Sequence, residues 1–263
     1  GFIYKALKPV YWCTDCETAL AEAEIEYSDR RSPSIYVRFA VADGKGIVSE
    51  EDTYFVIWTT TPWTIPANLA ICLNPNLTYV KISTEKGNLI LAKGLVENFA
   101  SEVGLEQYEI VQEFLGSELE GVVCKHPLIN RDSVVILGEH ATLEAGTGCV
   151  HTAPGHGQED YLVGLKYNLP ILAPVDEHGV FTEEAEQYAG IKITDGNKQI
   201  VEDLEAVGAL LKLDFVSHSY PHCWRCKDPV IFRATDQWFA SISGFRQGML
   251  DAIDSVKWIP EWG

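Results

Sequence analysis

The sequence predicts an α+β fold in which a curled β-sheet or a small β-barrel forms the core and a few helices lie at its periphery. The chain has many short apolar runs of strand length, and only a few of its segments have helical periodicity. Its 263 residues, with 46% hydrophobic and 11% aromatic side chains, are sufficient to bury a sizeable core. No internal repeat or low-complexity tract complicates this interpretation.

Strands are predicted where apolar residues alternate with others or form compact runs. Ile35, Val37, Phe39 and Val41 alternate along the chain, which is typical of a half-buried strand. Residues 54–58 form a compact apolar run that leads into a polar motif. Further short strands are predicted at residues 69–73, 79–82, 89–91 and 134–137.

Helices are predicted at residues 94–103, 158–167 and 197–211. Pro170 stops the second helix, because proline cannot continue a helical hydrogen-bond ladder. The third helix is amphipathic, since its apolar residues recur at helical spacing. Residues 19–26 have a helix-prone composition but lead into strand-like residues.

The chain is strongly acidic, with 20 basic and 38 acidic side chains and a formal net charge of −18. Proteins that bind nucleic acid by themselves are usually basic, because lysine and arginine neutralise phosphates. This chain should therefore bind long RNA poorly by itself. No apolar run approaches the roughly 18 residues of a membrane span, so no membrane partner is predicted.

The first residue is not methionine, which suggests a piece of a longer protein. The alternative is a processed native chain.

The first polar motif is residues 58–68, WTTTPWTIPAN, with four threonines within six residues. Each threonine offers a hydroxyl donor, two acceptor sites and a methyl group, which suits a small pocket that holds a water or an ester carbonyl. Pro62 and Pro66 exclude a regular helix or a central strand, so an ordered loop is predicted. The alternative is a strand edge with turn-capping hydroxyls.

The second polar motif is residues 146–161, GTGCVHTAPGHGQEDY, about 80 residues further along the chain. Asp160 falls in the first turn of a predicted helix, where an ionised carboxylate suits a ligand ammonium group or merely stabilises the helix. His151 and His156 are each open to several roles: general base, metal ligand, pocket wall or hydrogen-bonded loop residue. Cys149 is either a nucleophile beside His151 or a small buried residue. The motif lacks the patterns of nucleotide-phosphate loops.

Four of the seven cysteines form two CxxC pairs, Cys13 with Cys16 and Cys223 with Cys226. Four thiolates are the ligand set of a structural zinc site, and they leave no open position for catalysis. Between Cys16 and Cys223 lie 206 residues, but the entropy of loop closure grows only logarithmically with length. The alternative is a set of free thiols, or a site half-lost in evolution. This cysteine usage favours a reducing compartment, and we expect a cytoplasmic location.

Taken together, the two polar motifs resemble the editing insert of bacterial isoleucyl-tRNA synthetase. The resemblance extends over essentially the whole chain, from residues 7–10 and 20–24 to residues 232–235 and 238–239. Editing domains of the valine and leucine enzymes generally carry Arg-Pro after the threonine pair, whereas residues 61–64 here read TPWT. Asp236 departs from the family, in which many members have proline, but it lies outside both motifs.

The resemblance implies a role for each residue of the site. Thr60 and Thr61 would contact the ester or its attacking water, and Asp160 would hold the α-ammonium group. His151 would join them in the catalytic site, shaping the side-chain pocket. The implied catalytic set is therefore Thr60, Thr61, His151 and Asp160, and the implied substrate-binding set is Thr59, Trp63, Thr64 and Asn68. No cofactor is implied at this site.

The implied activity is proofreading hydrolysis of Val-tRNA(Ile), with valyl-adenylate as a second candidate substrate, by water attack without a covalent intermediate. The implied partners are the 3′ end of isoleucine tRNA carrying valine and the catalytic and tRNA-binding domains of the synthetase. Two alternatives remain: a non-catalytic, zinc-stapled module that docks RNA or protein, and a free-standing deacylase. We divide the chain into a neck segment at residues 1–30, an editing domain at 31–219 and a return neck segment at 220–263. The alternative for this last segment is that its aromatic residues are ordinary core residues.

Overall fold

The computed structural model describes residues 1–262, and most of its regular structure is β-strand. The strands are β1 (Ile3–Cys13), β2 (Thr18–Leu20), β3 (Ile25–Asp43), β4 (Thr53–Thr59), β5 (Ala70–Leu73), β6 (Thr78–Thr84), β7 (Gly87–Ala92), β8 (Glu109–Leu115), β9 (Val123–Lys125), β10 (Asp132–Leu137), β11 (Cys149–Thr152), β12 (Leu210–Cys223) and β13 (Ile231–Ala240). The α-helices are α1 (Val96–Val103), α2 (Gln158–Lys166), α3 (Ile193–Ala206) and α4 (Arg246–Ser255), and short 3-10 helices occupy Glu22–Glu24, Pro62–Ala67, Lys93–Leu95, Gly116–Leu119, Glu183–Tyr188 and Ile242–Gly244.

The main sheet is mixed and open. Its strand order is β11-β5-β10-β9-β3-β4-β7-β6-β8, and β12 pairs with β3 beside this path. Within residues 1–262 the end strands β11 and β8 do not pair with each other, so the sheet does not close into a barrel. The predicted α+β fold with a curled sheet and peripheral helices is confirmed, and the open curled sheet is the form that the core takes.

The sheet joins the two polar motifs. β4 ends at Thr59, inside the first motif, and β5 begins directly after that motif. β11 belongs to the second motif and pairs antiparallel with β5, so that His151 lies opposite Ile71. Two segments that are distant in sequence therefore become neighbours through ordinary strand pairing.

A second sheet, of order β13-β1-β2, joins the two ends of the chain. β1 and β13 pair antiparallel from Ile3 opposite Ala240 to Trp12 opposite Ile231. β1 ends at Cys13, and β12 ends at Cys223, where it pairs with Ile25 at the start of β3. This topology brings the two CxxC pairs to the same end of the molecule. The division into neck and editing segments stays a proposal.

Most of the local predictions are confirmed. The strands predicted near residues 35–41, 54–58, 69–73, 79–82, 89–91 and 134–137 and the helices predicted near 94–103 and 158–167 are all present. The third helix is displaced: it occupies Ile193–Ala206, because Gly208 adopts a φ of 70° and β12 begins at Leu210. The helix-prone segment 19–26 instead contains the end of β2 and one 3-10 turn.

The long strands β1, β12 and β13 were not predicted. Most of their residues are exposed or half-buried, so the alternation of apolar and polar residues that indicates a strand is weak there. In the part of the chain that the structure describes, no helix is both long enough and apolar enough to cross a membrane.

Candidate functional site

The threonine motif continues from β4 into the 3-10 helix Pro62–Ala67, whose residues are all buried. The hydroxyl of Thr59 lies 3.1 Å from that of Thr61 and also accepts a hydrogen bond from the Thr61 N–H. The Thr64 hydroxyl donates to the Thr61 carbonyl at 2.8 Å. Pro62 and Pro66 exclude an α-helix or a central strand here, as predicted, but the segment is a 3-10 helix and not the loop that the sequence predicted.

His151 links the second motif to the first. Its Nε2 lies 3.0 Å from the Thr64 hydroxyl, and its Nδ1 lies 2.8 Å from the Asn68 amide nitrogen. The same amide nitrogen donates to the Ala70 carbonyl at 2.9 Å, which fixes the orientation of the amide. Nδ1 of His151 is therefore an acceptor, and Nε2 carries the proton and donates to Thr64.

This geometry keeps His151 neutral. Burial lowers the pKa of His151 to about 3, and its one free lone pair already accepts from Asn68. A general base needs an available lone pair, so the contacts favour the pocket-wall role over the role of proton acceptor. Asn68 is fully buried behind His151, and its predicted contact with a substrate stays a prediction.

Residues outside both motifs hold the 3-10 helix in place. Asn197 Oδ1 accepts the Trp63 N–H at 3.0 Å, and His126 Nε2 donates to the Ile65 carbonyl at 2.8 Å. Arg131 donates to the carbonyl of Pro66 at 2.9 Å and to that of Asn68 at 3.2 Å. Sequence analysis missed His126, Arg131 and Asn197, and no local pattern indicates them, because each reaches the motif only through the fold.

A cavity of about 230 Å³ borders the motif, and Thr60, Thr61 and Trp63 form part of its wall. Among the described residues, the Thr60 hydroxyl has no hydrogen-bond partner, unlike the hydroxyls of Thr59, Thr61 and Thr64. Trp63 packs edge-on against the ring of His156 at a centroid distance of 4.9 Å. Thr60 is therefore the threonine whose hydroxyl is available to a bound molecule.

Asp160 occupies the first turn of α2, as predicted. Its Oδ2 accepts the Ala153 N–H at 2.9 Å, and its Oδ1 lies 4.0 Å from Nε2 of His140. Burial raises the pKa of Asp160 to about 6, and burial lowers the pKa of His140. Near neutral pH, Asp160 is therefore an ionised carboxylate beside an uncharged imidazole. No hydrogen bond within residues 1–262 joins it to the threonines.

Two glycines of the second motif allow its close packing. Gly146 and Gly148 both have a φ of 73°, a left-handed conformation that strains other residues. A Cβ on Gly148 would lie 2.5 Å from the Cβ of Ala92, and one on Gly146 would lie 3.0 Å from the Trp58 ring. Cys149 is buried and its Sγ contacts the Ile90 carbonyl. Burial raises its thiol pKa, which disfavours the nucleophile alternative.

The four cysteines of the CxxC pairs form one cluster. The sulfur atoms of Cys13, Cys16, Cys223 and Cys226 all lie within 4.8 Å of one another, and a tetrahedral site with Zn–S bonds of about 2.3 Å needs such spacing. The Cys16 N–H points at Cys13 Sγ at 3.4 Å. Cys13 and Cys223 are fully buried. The donor set fits a structural metal such as zinc, as predicted.

The positions that follow the two pairs support this fit. Glu17 and Lys227, each directly after the second cysteine of its pair, have φ values of 51° and 68°. Both CxxC segments therefore turn through the same strained conformation, which a shared ligand geometry accounts for.

If zinc is bound, replacing Cys16 by serine should remove it. We expect about one zinc per chain in the wild type and a large loss in Cys16→Ser, because serine is a poor zinc ligand. Cys72→Ser, at a cysteine outside the cluster, is the matched control and should keep its zinc. Elemental analysis of purified, metal-replete protein measures both, and wild-type protein without zinc would contradict the assignment.

The fold and the sequence together define the class of this chain. The family model of tRNA synthetases class I (I, L, M and V) matches residues 1–263, and the chain belongs to this family. It is 63% identical over 263 residues to the isoleucine–tRNA ligases of Moorella thermoacetica and Carboxydothermus hydrogenoformans. All of this chain is covered in both comparisons, and it spans 28% of the length of these relatives.

Two solved structures share the fold. GlLeuRS-CP1 aligns with a TM-score of 0.55 and 14% identity, covering 69% of this chain and 98% of that chain. The editing domain of the P. knowlesi cytosolic leucyl-tRNA synthetase aligns with a TM-score of 0.53 and 13% identity, covering 70% and 96%. At such low identity the likeness concerns the fold, which is that of the CP1 editing domain. The resemblance to the editing insert of isoleucyl-tRNA synthetase, which the two motifs indicated, is confirmed.

Proposed function

We propose that this chain is the proofreading part of an isoleucyl-tRNA synthetase and hydrolyses the ester of Val-tRNA(Ile). The observation that carries the proposal is the hydrogen-bonded chain Thr59–Thr61–Thr64–His151–Asn68, which leaves the Thr60 hydroxyl available at the cavity. The similarity to isoleucine–tRNA ligases and the CP1 editing fold support it. Valyl-adenylate is a second candidate substrate of the same site.

In this proposal a water attacks the ester carbonyl directly. Thr60 and Thr61 hold the ester or the attacking water, because their hydroxyls can donate to a carbonyl and accept from water at once. Neutral His151 donates to Thr64 and so fixes the pocket wall without taking a proton. The buried thiol of Cys149 takes no part.

Asp160 binds the α-ammonium group of the aminoacyl ester in this proposal. A carboxylate that is largely buried and ionised near neutral pH is suited to a small cation. The catalytic and tRNA-binding domains of the synthetase would hold the rest of the tRNA, since this chain carries a net charge of −18.

The metal cluster has a structural role in the proposal. Zinc would tie together residues 1–30 and 220–263, the two neck segments, and four thiolates would leave it no open position for chemistry. The alternative of a non-catalytic docking module is less favoured, because it gives no use to the Thr60 hydroxyl or to buried Asp160. The cysteine usage and the proposed function suit the cytoplasm.

To exclude isoleucine but accept valine, the side-chain pocket must have a volume that is defined to within one methylene group. A hydrophobic pocket gains only about 1–3 kcal/mol from one methylene, a magnitude established on isoleucyl-tRNA synthetases themselves, so a second pocket that excludes the larger side chain is needed. Thr64, Trp63 and His151 form its wall in this proposal. Their buried, mutually bonded arrangement suits a wall that does not yield.

Replacing Thr64 by serine tests both the function and the pocket. Serine keeps the hydroxyl that bonds His151 but removes one methyl, so Thr64→Ser should hydrolyse Ile-tRNA(Ile) at least about tenfold faster than the wild type does. Thr78→Ser, at an exposed threonine, is the matched control. Deacylation of Val-tRNA(Ile) and Ile-tRNA(Ile) is followed in the full-length enzyme.

Two results would count against these assignments. A wild-type enzyme that releases valine no faster than uncatalysed hydrolysis would contradict the proposed function. A Thr64→Ser variant that still spares Ile-tRNA(Ile) while hydrolysing Val-tRNA(Ile) would contradict only the place of Thr64 in the wall.

A further inference from the structure

Two adjacent arginines of β3 are stacked on aromatic rings of β12. The guanidinium carbon of Arg30 lies 4.9 Å from the ring centre of Tyr220, and that of Arg31 lies 4.5 Å from the ring centre of Phe215. Such stacking holds a planar guanidinium in a fixed orientation while leaving its N–H groups free to donate. Both arginines are therefore pre-positioned donors.

Neither arginine forms an ion pair within residues 1–262. Arg38 and Arg131 also form no ion pair, but their guanidinium groups donate to backbone carbonyls, whereas those of Arg30 and Arg31 donate to no acceptor in the described part of the chain. The carboxylate of Asp214, which lies close enough to Arg31 to interact with its charge, is bonded to Lys212 and to the Phe215 N–H instead. Two positive charges thus remain available to an external anion.

Both arginines border the cavity that Thr60 and Thr61 also line, and so does Lys192, which likewise has no ion pair in the described part of the chain. Asp15 and Asp228 line the same cavity next to the metal cluster. Three basic residues, Arg30, Arg31 and Lys192, therefore line the cavity together with these two acidic ones. An anion that enters the cavity can meet basic groups in the same space that Thr60 and Thr61 line.

We propose that Arg30 and Arg31 bind the phosphodiester backbone of the single-stranded RNA 3′ end whose terminal ester reaches Thr60 and Thr61. This inference rests on the proposed function and names the groups that position its substrate. Arginine presents paired donors that match two phosphate oxygens. The arginines are positioning residues, because they act on the backbone of the RNA and not on the ester.

The inference explains how so acidic a domain could accept an RNA end. Over most of its surface a net charge of −18 repels phosphates. Arg30 and Arg31 offer unpaired positive charges at the cavity, so the RNA end would find cationic groups there. Other domains would still supply most of the affinity for the tRNA.

The test compares Arg30→Gln and Arg31→Gln with Arg246→Gln in the full-length enzyme. Arg246, the exposed first residue of α4, provides the same change of charge away from the cavity. For Val-tRNA(Ile) we expect KM to rise about tenfold in each β3 variant, with kcat changed less than twofold. The slope of log(kcat/KM) against log[salt] should become shallower by about 0.7 for each phosphate that an arginine no longer neutralises.

A second probe separates this inference from the proposed function. Binding of a fluorescent single-stranded RNA oligonucleotide with the tRNA 3′-terminal sequence is measured for the same variants, and circular dichroism monitors their folding. If the wild type binds it and both β3 variants bind it about tenfold more weakly, the inference holds even where no deacylation is found. Unchanged KM, salt slope and oligonucleotide affinity in folded β3 variants would overturn it while leaving the esterase function standing.

Discussion

Replacing Asp160 by asparagine is expected to lower the rate of Val-tRNA(Ile) deacylation at least about tenfold while the fold is retained. The variant loses the charge that would hold the α-ammonium group, and with it the orientation of the ester relative to the threonines. The asparagine carbonyl can still accept the Ala153 N–H that Asp160 accepts at 2.9 Å. The α2 helix start should therefore remain in place.

The same variant should change the pH dependence of the reaction. Burial raises the pKa of Asp160 to about 6, so the carboxylate becomes protonated and loses its charge as the pH falls through about 6. An α-amino group has an ordinary pKa of about 7.7–8.0 and is charged below that range. The ionic contact thus forms between about pH 6 and pH 8, and wild-type kcat/KM should fall on the acid side. Asp160→Asn should lack this acid limb.

Glu159→Gln is the matched control, because Glu159 is the exposed acidic neighbour in the same helical turn. It should deacylate at the wild-type rate. A blocked N-acetyl-valyl ester, which has no ammonium group, should be a poor substrate for the wild type and no worse for Asp160→Asn. Equal wild-type rates with blocked and free esters would rule out the ammonium contact.

The sequence was sufficient to predict the pieces of the fold that depend on local patterns. Compact apolar runs such as residues 54–58 predicted strands, and Pro62 with Pro66 excluded an α-helix or a central strand between β4 and β5, although the 3-10 helix found there was not predicted. The long ribbon of β3 and β12 was beyond such reasoning. Its register, with Cys223 opposite Ile25, depends on pairing across most of the chain, and its half-exposed residues carry little periodicity.

The residue types of the site could be predicted from the sequence, but the hydrogen bonds between them could not. Clustered threonines and a glycine-rich loop with His151 indicated a polar pocket, and the structure bonds His151 to Thr64 and Asn68. The protonation state of His151 could not be read from the sequence, because it depends on the orientation of the Asn68 amide. The role of His126 could not be predicted either. It is distant from the motif along the chain, and only the fold brings its Nε2 to 2.8 Å from the Ile65 carbonyl.

The domain is expected to lose stability as the pH falls from about 6.5 to about 4. Three buried histidines surround the 3-10 helix Pro62–Ala67: His126 and His151 bond to it, and His156 packs against Trp63. Burial lowers the pKa of His126 and of His156 to about 4, and that of His151 to about 3. In the unfolded chain, histidine takes up a proton near pH 6.5.

The hydrogen bonds give a direct reason for this resistance to protonation. Nδ1 of His126 accepts the N–H groups of Leu128 and Ile129 at 3.1 and 3.0 Å, and Nδ1 of His151 accepts from the Asn68 amide. A proton on either nitrogen would place donor against donor. His156 donates Nδ1–H to the Phe232 carbonyl, and its Nε2 is buried without a partner in the described part of the chain.

The direction of the effect follows from counting protons. Between about pH 4 and 6.5 the unfolded chain binds more protons at these histidines than the folded one, so acid favours unfolding. Asp160 acts oppositely between about pH 3.8 and 6, since its raised pKa makes the folded state bind the extra proton there. His140, whose pKa burial also lowers, acts in the same direction as these three histidines. The histidines therefore exceed the one carboxylate by at least about two protons, or about 3 kcal/mol per pH unit at the steepest point.

Urea unfolding followed by circular dichroism at several pH values measures this slope. His126→Gln should reduce it by about one proton, or about 1.4 kcal/mol per pH unit, because glutamine does not titrate. His178→Gln, at a histidine whose side chain is 54% exposed, is the control and should leave the slope near the wild-type value. Glutamine at position 126 will also lower stability at pH 8, so the comparison rests on the slope and not on the absolute free energy of unfolding.

A wild-type free energy of unfolding that stays constant from pH 7 to pH 4.5 would contradict this prediction. It would show that the histidines become charged within the folded domain. The 3-10 helix Pro62–Ala67 would then have to be held by other contacts, such as those of Asn197 and Arg131.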